Sequence, residues 1–182
     1  MKSNLRRRVA AEFVGTGFLV AAVVGSGIMA ERLSGGNGAL ALLANTIATG
    51  AALVALILAF GSVSGAHFNP AVSVADAIEG GTAWHEVPAY IVAQVVGGVA
   101  GTILAHAMFG LPLVSLSRHA RSGPAQVFSE FLATFGLLCV IWGCSRSRPN
   151  VVPFGGRIHH GGVLVHGIHF LRESGGDGCK VA

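Results

Sequence analysis

The stretch SGAHFNPAV, residues 64–72, decides the fold of this chain. It follows a long apolar run and contains an asparagine–proline pair. Asn69 is a favoured residue for a helix N-cap. Pro70 fits the first helical position, because the N–H that proline lacks has no partner there in any case. Asn69-Pro70-Ala71 therefore predicts a helix start whose first amides and Asn69 side chain can meet a ligand.

The composition indicates an integral membrane protein. The chain of 182 residues is 52% hydrophobic and only 11% charged, with a mean hydropathy of +0.67. Soluble domains carry about 25% charged residues. The net charge of +4 is small and scattered, and no aromatic-basic motif accompanies it. A nucleic-acid partner is therefore not expected, whereas the lipid bilayer is.

Apolar segments at about 9–33, 39–61, 84–109 and 124–144 predict four membrane-spanning helices. The element that starts at Asn69 ends near Glu79 at a glycine pair. It is two to three turns long, too short to cross a hydrocarbon core of about 30 Å. The expected fold class is thus an all-α integral membrane bundle of about four spans plus one re-entrant half-helix.

The basic start of the chain predicts its orientation. Lys2 and the run 6–8 of three arginines precede the first apolar segment, which is long enough to span and has no clear signal-peptide cleavage site. By the positive-inside rule the N-terminus is expected in the cytoplasm. Arg118 and Arg121 in the expected outer loop weaken this bias. A multi-pass protein of the plasma membrane, the inner membrane in bacteria, is the resulting prediction.

Two helix starts resemble each other. AEFVGT at 11–16 and SEFLAT at 129–134 each place an acid, Glu12 or Glu130, in the first turn of an apolar helix. Three predicted helices separate the two starts, so the copies would have opposite orientations. Such inverted repeats are typical of transporters and channels.

Together these features resemble the aquaporin and glycerol-facilitator family, the major intrinsic proteins. The resemblance covers about residues 8–154 and depends on Glu12, residues 64–72, Gln94 and Glu130. It implies a first repeat that is complete, with three spans and a half-helix, and a second that is incomplete. Residues 25–32 further resemble bacterial members associated with arsenic resistance.

The resemblance implies a passive channel for water or small neutral solutes, such as glycerol or metalloid hydroxides, with no catalysis, cofactor or metal. The positive end of the helix dipole, at the start of a half-helix, repels protons and cations. Family members are tetramers, so a homotetramer is expected. Thr49 corresponds to a selectivity constriction, where its small size favours a wider pore. The other expected path residues are Gly65, Ala66, His67, Phe68, Asn69, Pro70 and Ala71, and the loop supports are Glu12, Gln94 and Glu130.

The resemblance ends near Phe154, which divides the chain into a partial transmembrane domain, 1–154, and a tail, 155–182. The tail has eight glycines and four histidines in 28 residues and lacks the family's second Asn-Pro-Ala element. With suitable codons, reading it one base later yields an apolar segment and Asn-Pro-Ala across Glu173, Ser174 and Gly175. The expectation is a frameshifted end, which sequencing the gene around the Phe154 codon would test.

Several features also have plainer interpretations. Asn69 and Pro70 can be a simple helix cap, and Glu12 and Glu130 can be acids at helix ends that reach toward water. His67 can be a structural hydrogen-bonding residue. The tail histidines suggest metal binding less well than a by-product of the frameshift. We expect impaired transport for a chain with one half-helix, and the alternative is a truncated membrane polypeptide that transports nothing.

Overall fold

A computed structural model describes residues 4–113 and 123–147. Within these ranges the chain is helical and contains no strand. The expected all-α class is therefore confirmed. The helices are α1 (Leu5–Leu33), α2 (Gly38–Ser64), α3 (Pro70–Ile78), α4 (Val87–Met108) and α5 (Pro124–Ser147).

Three helices are long and apolar enough to cross a membrane. They are α1, α2 and α4, with 29, 27 and 22 residues and peak mean hydropathies of 1.9, 2.1 and 1.7. At about 1.5 Å per residue each exceeds the hydrocarbon thickness of about 30 Å. The chain is thus a multi-pass membrane protein. In α5 the described apolar run covers residues 131–143, and its span stays a prediction.

Asparagines begin three of the helices. Asn4 accepts a hydrogen bond from the Arg6 N–H at 3.2 Å, and Asn37 accepts from the first amides of α2 at 3.1 and 3.2 Å. Asn69 does the same for α3. The cap at Asn4 explains why α1 starts at Leu5, earlier than the apolar pattern predicted.

Close glycine contacts join α1 to α4. A Cβ atom built on Gly97 would lie 2.4 Å from the carbonyl oxygen of Phe13, and one on Gly101 would lie 2.2 Å from that of Gly17. Only glycine permits such an approach of two backbones, which is how helices pack tightly in lipid. This contact brings the first half of α1 against the middle of α4, and it positions the site described below.

Candidate functional site

The site is built around the loop between α2 and α3. At its start Gly65 has φ = 94°, and two residues that are not glycine, Ala66 and Phe68, have φ = 51° and 49°. Left-handed backbone of this kind costs roughly 1–3 kcal/mol at a residue with a side chain. Surrounding contacts must therefore hold the loop in place.

Glu12 of α1 provides most of these contacts. Its side chain is fully buried, with 0% exposure. One carboxylate oxygen accepts from the Ser64 hydroxyl at 2.6 Å and from the His67 N–H at 3.0 Å. The other accepts from the Phe68 N–H at 2.7 Å and from the Gln94 side chain at 2.8 Å. A buried carboxylate needs such donors to offset its lost hydration, and here four of them surround it.

Gln94 of α4 links this carboxylate to the half-helix. Its Nε2 group donates both to Glu12 and to the Ser73 hydroxyl of α3, the latter at 2.9 Å. One turn earlier on α4, the Tyr90 hydroxyl donates to the Ser64 carbonyl at 2.9 Å. Side chains of α1, α3 and α4 and the last residue of α2 thus meet at the loop through polar residues that are all buried.

Asn69 and Pro70 begin α3 as the sequence predicts. The Asn69 Oδ1 atom accepts from the Ala71 N–H at 2.8 Å, and Pro70 occupies the first turn. Because Oδ1 is engaged in the cap, the amide Nδ2 group is the end of Asn69 that can donate to another molecule. Pro70 is exposed, and Asn69 and Ala71 are half-buried.

Two loop side chains point into the protein core. Ala66 and Phe68 are 8% and 6% exposed and belong to an apolar cluster with Leu19 and Leu53. The Phe68 ring packs edge-on to Phe60, with centroids 6.2 Å apart. A path along this loop can therefore use the backbone carbonyls of these residues, but not their side chains.

His67 takes part in a polar chain along α3. Its Nδ1 atom lies 3.1 Å from the Ser73 hydroxyl, and its Nε2 atom lies 3.6 Å from a carboxylate oxygen of Asp76. The same Asp76 oxygen accepts from the Thr82 hydroxyl at 2.6 Å. These contacts give the histidine a structural role whatever else it does.

A cavity of about 280 Å³ borders the loop. Its lining includes the loop residues Gly65 to Phe68 and the acidic residues Asp76 and Glu79, and its apolar wall comes from α2, α3 and α5. Such a mixture suits a small molecule with hydroxyl groups. Residues of the apolar wall include Leu53, Ile57, Val72, Leu138, Ile141 and Trp142.

Of the expected site residues, Thr49 does not join this group. Thr49 is 1% exposed, and its hydroxyl lies 3.4 Å from Asn45 Oδ1 on the same helix. Asn45 in turn accepts from Ser26 of α1 at 2.7 Å, so Thr49 sits near an α1–α2 contact and does not line the cavity. The side chain of Glu130 and the tail 155–182 lie outside the described residues.

Three residues of the network were not among the expected path residues or loop supports: Ser73, Tyr90, and Ser64, which belongs to the stretch 64–72. A signal exists for two of them. Ser73 lies one helical turn after Asn69, and Tyr90 lies one turn before Gln94, so each shares a helix face with a predicted site residue.

A search against protein families shows where this arrangement belongs. The model of the family described as "Major intrinsic protein" matches residues 1–156. The chain belongs to the major intrinsic protein family. The family predicted from the Asn69-Pro70-Ala71 element and from Glu12 is thereby confirmed.

Curated members of the family resemble the chain over most of its length. Aquaglyceroporin AqpS of Rhizobium meliloti (strain 1021) is 54% identical over 151 residues, which are 83% of this chain and 64% of the relative. Probable aquaporin NIP7-1 of Arabidopsis thaliana is 36% identical over 72% of this chain and 47% of its own length. Aquaporin NIP1-4 of Oryza sativa subsp. japonica is 34% identical over 94% and 60%. The chain thus spans about half to two thirds of the length of these relatives.

Proposed function

We propose that this chain forms part of a channel for the passive passage of water and small neutral solutes. The observation that carries the proposal is the braced loop of residues 65–68, which leads into a helix start at Asn69 within a bundle of membrane helices. Irregular backbone survives at membrane depth where it is buried in protein or lines a wet cavity. The relatives named as aquaporins and as an aquaglyceroporin support the same function.

The helix start at Asn69 and the carbonyl oxygens of the loop before it determine which solutes can pass. At one end, the Nδ2 group of Asn69 and the positive end of the α3 dipole favour an oxygen atom and disfavour a cation. Along the loop, carbonyl oxygens accept hydrogen bonds from the hydroxyl groups of the solute. A neutral molecule that both donates and accepts hydrogen bonds can exchange its hydrogen bonds to water for hydrogen bonds to the protein along this path. A proton or a metal cation cannot, because the dipole repels it.

The proposed path residues are the backbone of Gly65, Ala66, His67 and Phe68 and the Asn69-Pro70-Ala71 helix start. Glu12 and Gln94 support the loop, and Glu130 is proposed to do the same in the second half. Thr49 remains a proposal for the constriction; as a small residue there it would favour solutes the size of glycerol or of a neutral metalloid hydroxide.

The remaining parts of the proposal concern organisation. The channel unit is residues 1–154, with residues 155–182 outside it, and the unit assembles as a homotetramer. The chain lies in the plasma membrane, or in the inner membrane of a bacterium, with its N-terminus in the cytoplasm. The basic residues at the start of the chain, Lys2 and the three arginines 6–8 in the first turn of α1, support this orientation, because positive charge is retained on the cytoplasmic side.

Osmotic swelling of proteoliposomes tests the function. We expect water and glycerol permeability above that of empty liposomes but impaired by the absence of a second half-helix, and a loss of this excess in Asn69→Asp. That variant keeps an oxygen for the Ala71 cap but removes the Nδ2 donor and adds negative charge. Asn37→Asp is the matched control, because it makes the same change at the cap of α2.

A permeability equal to that of empty liposomes would favour the alternative, a membrane polypeptide that transports nothing. A chimera that joins residues 1–154 to the remaining part of the AqpS relative then separates two causes. If the chimera conducts and the 182-residue chain does not, the first unit is competent and needs a second half. If neither conducts, the channel proposal fails for this unit.

A further inference from the structure

A second concave surface lies between α1 and α4, outside the network around Glu12. It is an open groove of about 720 Å³ between the first turns of the two helices. An ion pair between Arg8 and Glu86 holds these two helix starts together at one end of the groove. The groove is lined by Arg6, Val9, Ala10, Phe13, Pro88, Ala89, Val92, Ala93 and Val96.

Apart from its charged end, the groove is apolar and open to the outside of the bundle. Phe13, Val92 and Val96 are 38%, 62% and 52% exposed. On helices that are long and apolar enough to span a membrane, such side chains are open to contact with hydrocarbon. The α4 side of the groove covers residues 88–96, a length of about 12 Å along a helix. This shape fits part of an extended acyl chain.

The end of the groove carries unmatched positive charge. Arg6 lines the groove and is exposed, and among the side chains that the structure describes no carboxylate pairs with its guanidinium. The neighbouring Arg8 is already bound to Glu86 and also lies 5.9 Å from the centre of the Tyr90 ring. A guanidinium can bind a phosphate through two parallel hydrogen bonds, which suits Arg6 to a phospholipid headgroup.

We propose that this groove binds one anionic phospholipid, with an acyl chain along the groove and the phosphate at Arg6. Neither part alone selects this partner. The apolar wall holds any lipid, and an exposed arginine attracts any anion. Because the apolar wall and the arginine adjoin at one end of a membrane-facing groove, the groove selects an anionic lipid over a zwitterionic one. The inference depends on the membrane class of the chain and not on transport, so it stands even if permeability is absent.

Lipid titration of the purified 182-residue chain tests the proposal. Dioleoyl phosphatidylglycerol and dioleoyl phosphatidylcholine are added to the chain in detergent, and bound lipid is counted by native mass spectrometry. We expect phosphatidylglycerol to bind at least about fivefold more tightly, the factor that one arginine contributes near an anionic surface. Phosphatidylglycerol also raises the midpoint of thermal unfolding, whereas inorganic phosphate at the same concentration does not.

Two variants and two matched controls locate the site. Arg6→Gln removes the charge and Ala10→Trp fills the groove; each is expected to abolish the preference for phosphatidylglycerol. Arg7→Gln and Val14→Trp make the same changes at exposed positions of α1 that do not line the groove, and they keep the preference. Equal binding of the two lipids, equal protection by inorganic phosphate, or an unchanged preference in both groove variants would overturn the proposal.

Discussion

Glu12 accepts a hydrogen bond of 2.7 Å from the backbone N–H of Phe68, a residue 56 positions further along the chain. The contact ties the first membrane helix to a loop residue in left-handed backbone. The same carboxylate accepts from His67, two residues after the glycine that ends α2. The shape of the loop therefore depends on a side chain from another helix, and this dependence can be tested.

Glu12→Ala should destabilise the protein strongly. The substitution leaves the Ser64 hydroxyl, two backbone N–H groups and one hydrogen of Gln94 buried without an acceptor. Each such group costs about 1–3 kcal/mol, so we expect a loss of at least about 3 kcal/mol in the free energy of unfolding. Thermal unfolding in detergent measures it.

The control for this variant is Glu31→Ala, which removes an exposed acid from the same helix. A surface substitution of this kind changes the free energy of unfolding by no more than about 0.5 kcal/mol. If the two variants lower the unfolding temperature equally, Glu12 is not the brace of the loop.

Gly15→Ala should displace the Phe68 ring. A Cβ atom at Gly15 would lie 2.0 Å from the Phe68 Cε1 atom. Because the ring is 6% exposed and packed on Phe60, it has little room to move. We expect a loss of about 1–3 kcal/mol, as is usual for an overpacked core, measured by thermal unfolding.

Gly61→Ala is the matched control, because a Cβ atom there meets nothing within 4 Å and the residue is helical. Alanine in a helix is favoured over glycine by roughly 1 kcal/mol, so this control should be neutral or stabilising. Phe68→Leu combined with Gly15→Ala should recover part of the loss. Equal effects of the two single alanine variants would contradict the close contact.

Alanine substitutions at the adjacent residues Gly97 and Gly98 of α4 should differ sharply in their effect on stability. Gly97→Ala places a methyl group against the Phe13 carbonyl, whereas the nearest atom to a Cβ at Gly98 is a Val20 methyl carbon at 3.7 Å. Gly97→Ala must therefore push α1 away from α4 and weaken the Glu12–Gln94 contact. Gly98→Ala has ordinary van der Waals contact and should be tolerated.

Unfolding temperatures of the two variants provide the measurement, and hydrogen exchange at the amides of residues 67 and 68 reports on the loop. Faster exchange in Gly97→Ala alone is expected. Similar exchange in both variants would show that the helix contact and the loop are independent.

Acid should weaken the junction between the starts of α1 and α4. The Arg8 guanidinium, which hydrogen-bonds to Glu86 just before α4, lowers the pKa of that carboxyl below its ordinary value. A carboxyl with a lowered folded-state pKa contributes stability above its unfolded pKa and loses it as the pH falls through the folded one. Wild type should thus exceed Glu86→Gln in stability at neutral pH, and the gap should close in acid.

Unfolding temperatures measured at a series of pH values check this prediction, with Glu31→Gln as a control that keeps the junction. The gap between wild type and Glu86→Gln must narrow as the pH falls. A gap that is constant with pH would show that the ion pair adds no pH-dependent stability.

Much of the fold could be predicted from residue types alone. Apolar runs placed the helices to within a few residues, since only helices satisfy their own backbone in lipid. The asparagine and proline at 69 and 70 predicted the start of α3 by local chemistry. The boundaries moved where local caps, such as Asn4, extend a helix beyond its apolar part.

The loop could be predicted less well. Left-handed backbone at Ala66 and Phe68 is not encoded in those residue types, because neither favours it; contacts from α1 and α4 impose it. The burial of Phe68 depends on a glycine 53 positions earlier, and the surroundings of Thr49 depend on which face of α2 meets α1. Such relationships appear only once the helices are packed.

The position of Glu12 in the chain also affects how the protein is made. Its donors follow it by 52 residues at Ser64 and by 82 residues at Gln94. During synthesis, α1 is therefore complete well before any partner of its acid exists. An acid in a membrane helix opposes insertion, by about 3 kcal/mol where it lies at the helix centre. A chain that ends before residue 94 therefore leaves Glu12 without the Gln94 donor, and the cost of placing this acid in the membrane is then not fully offset.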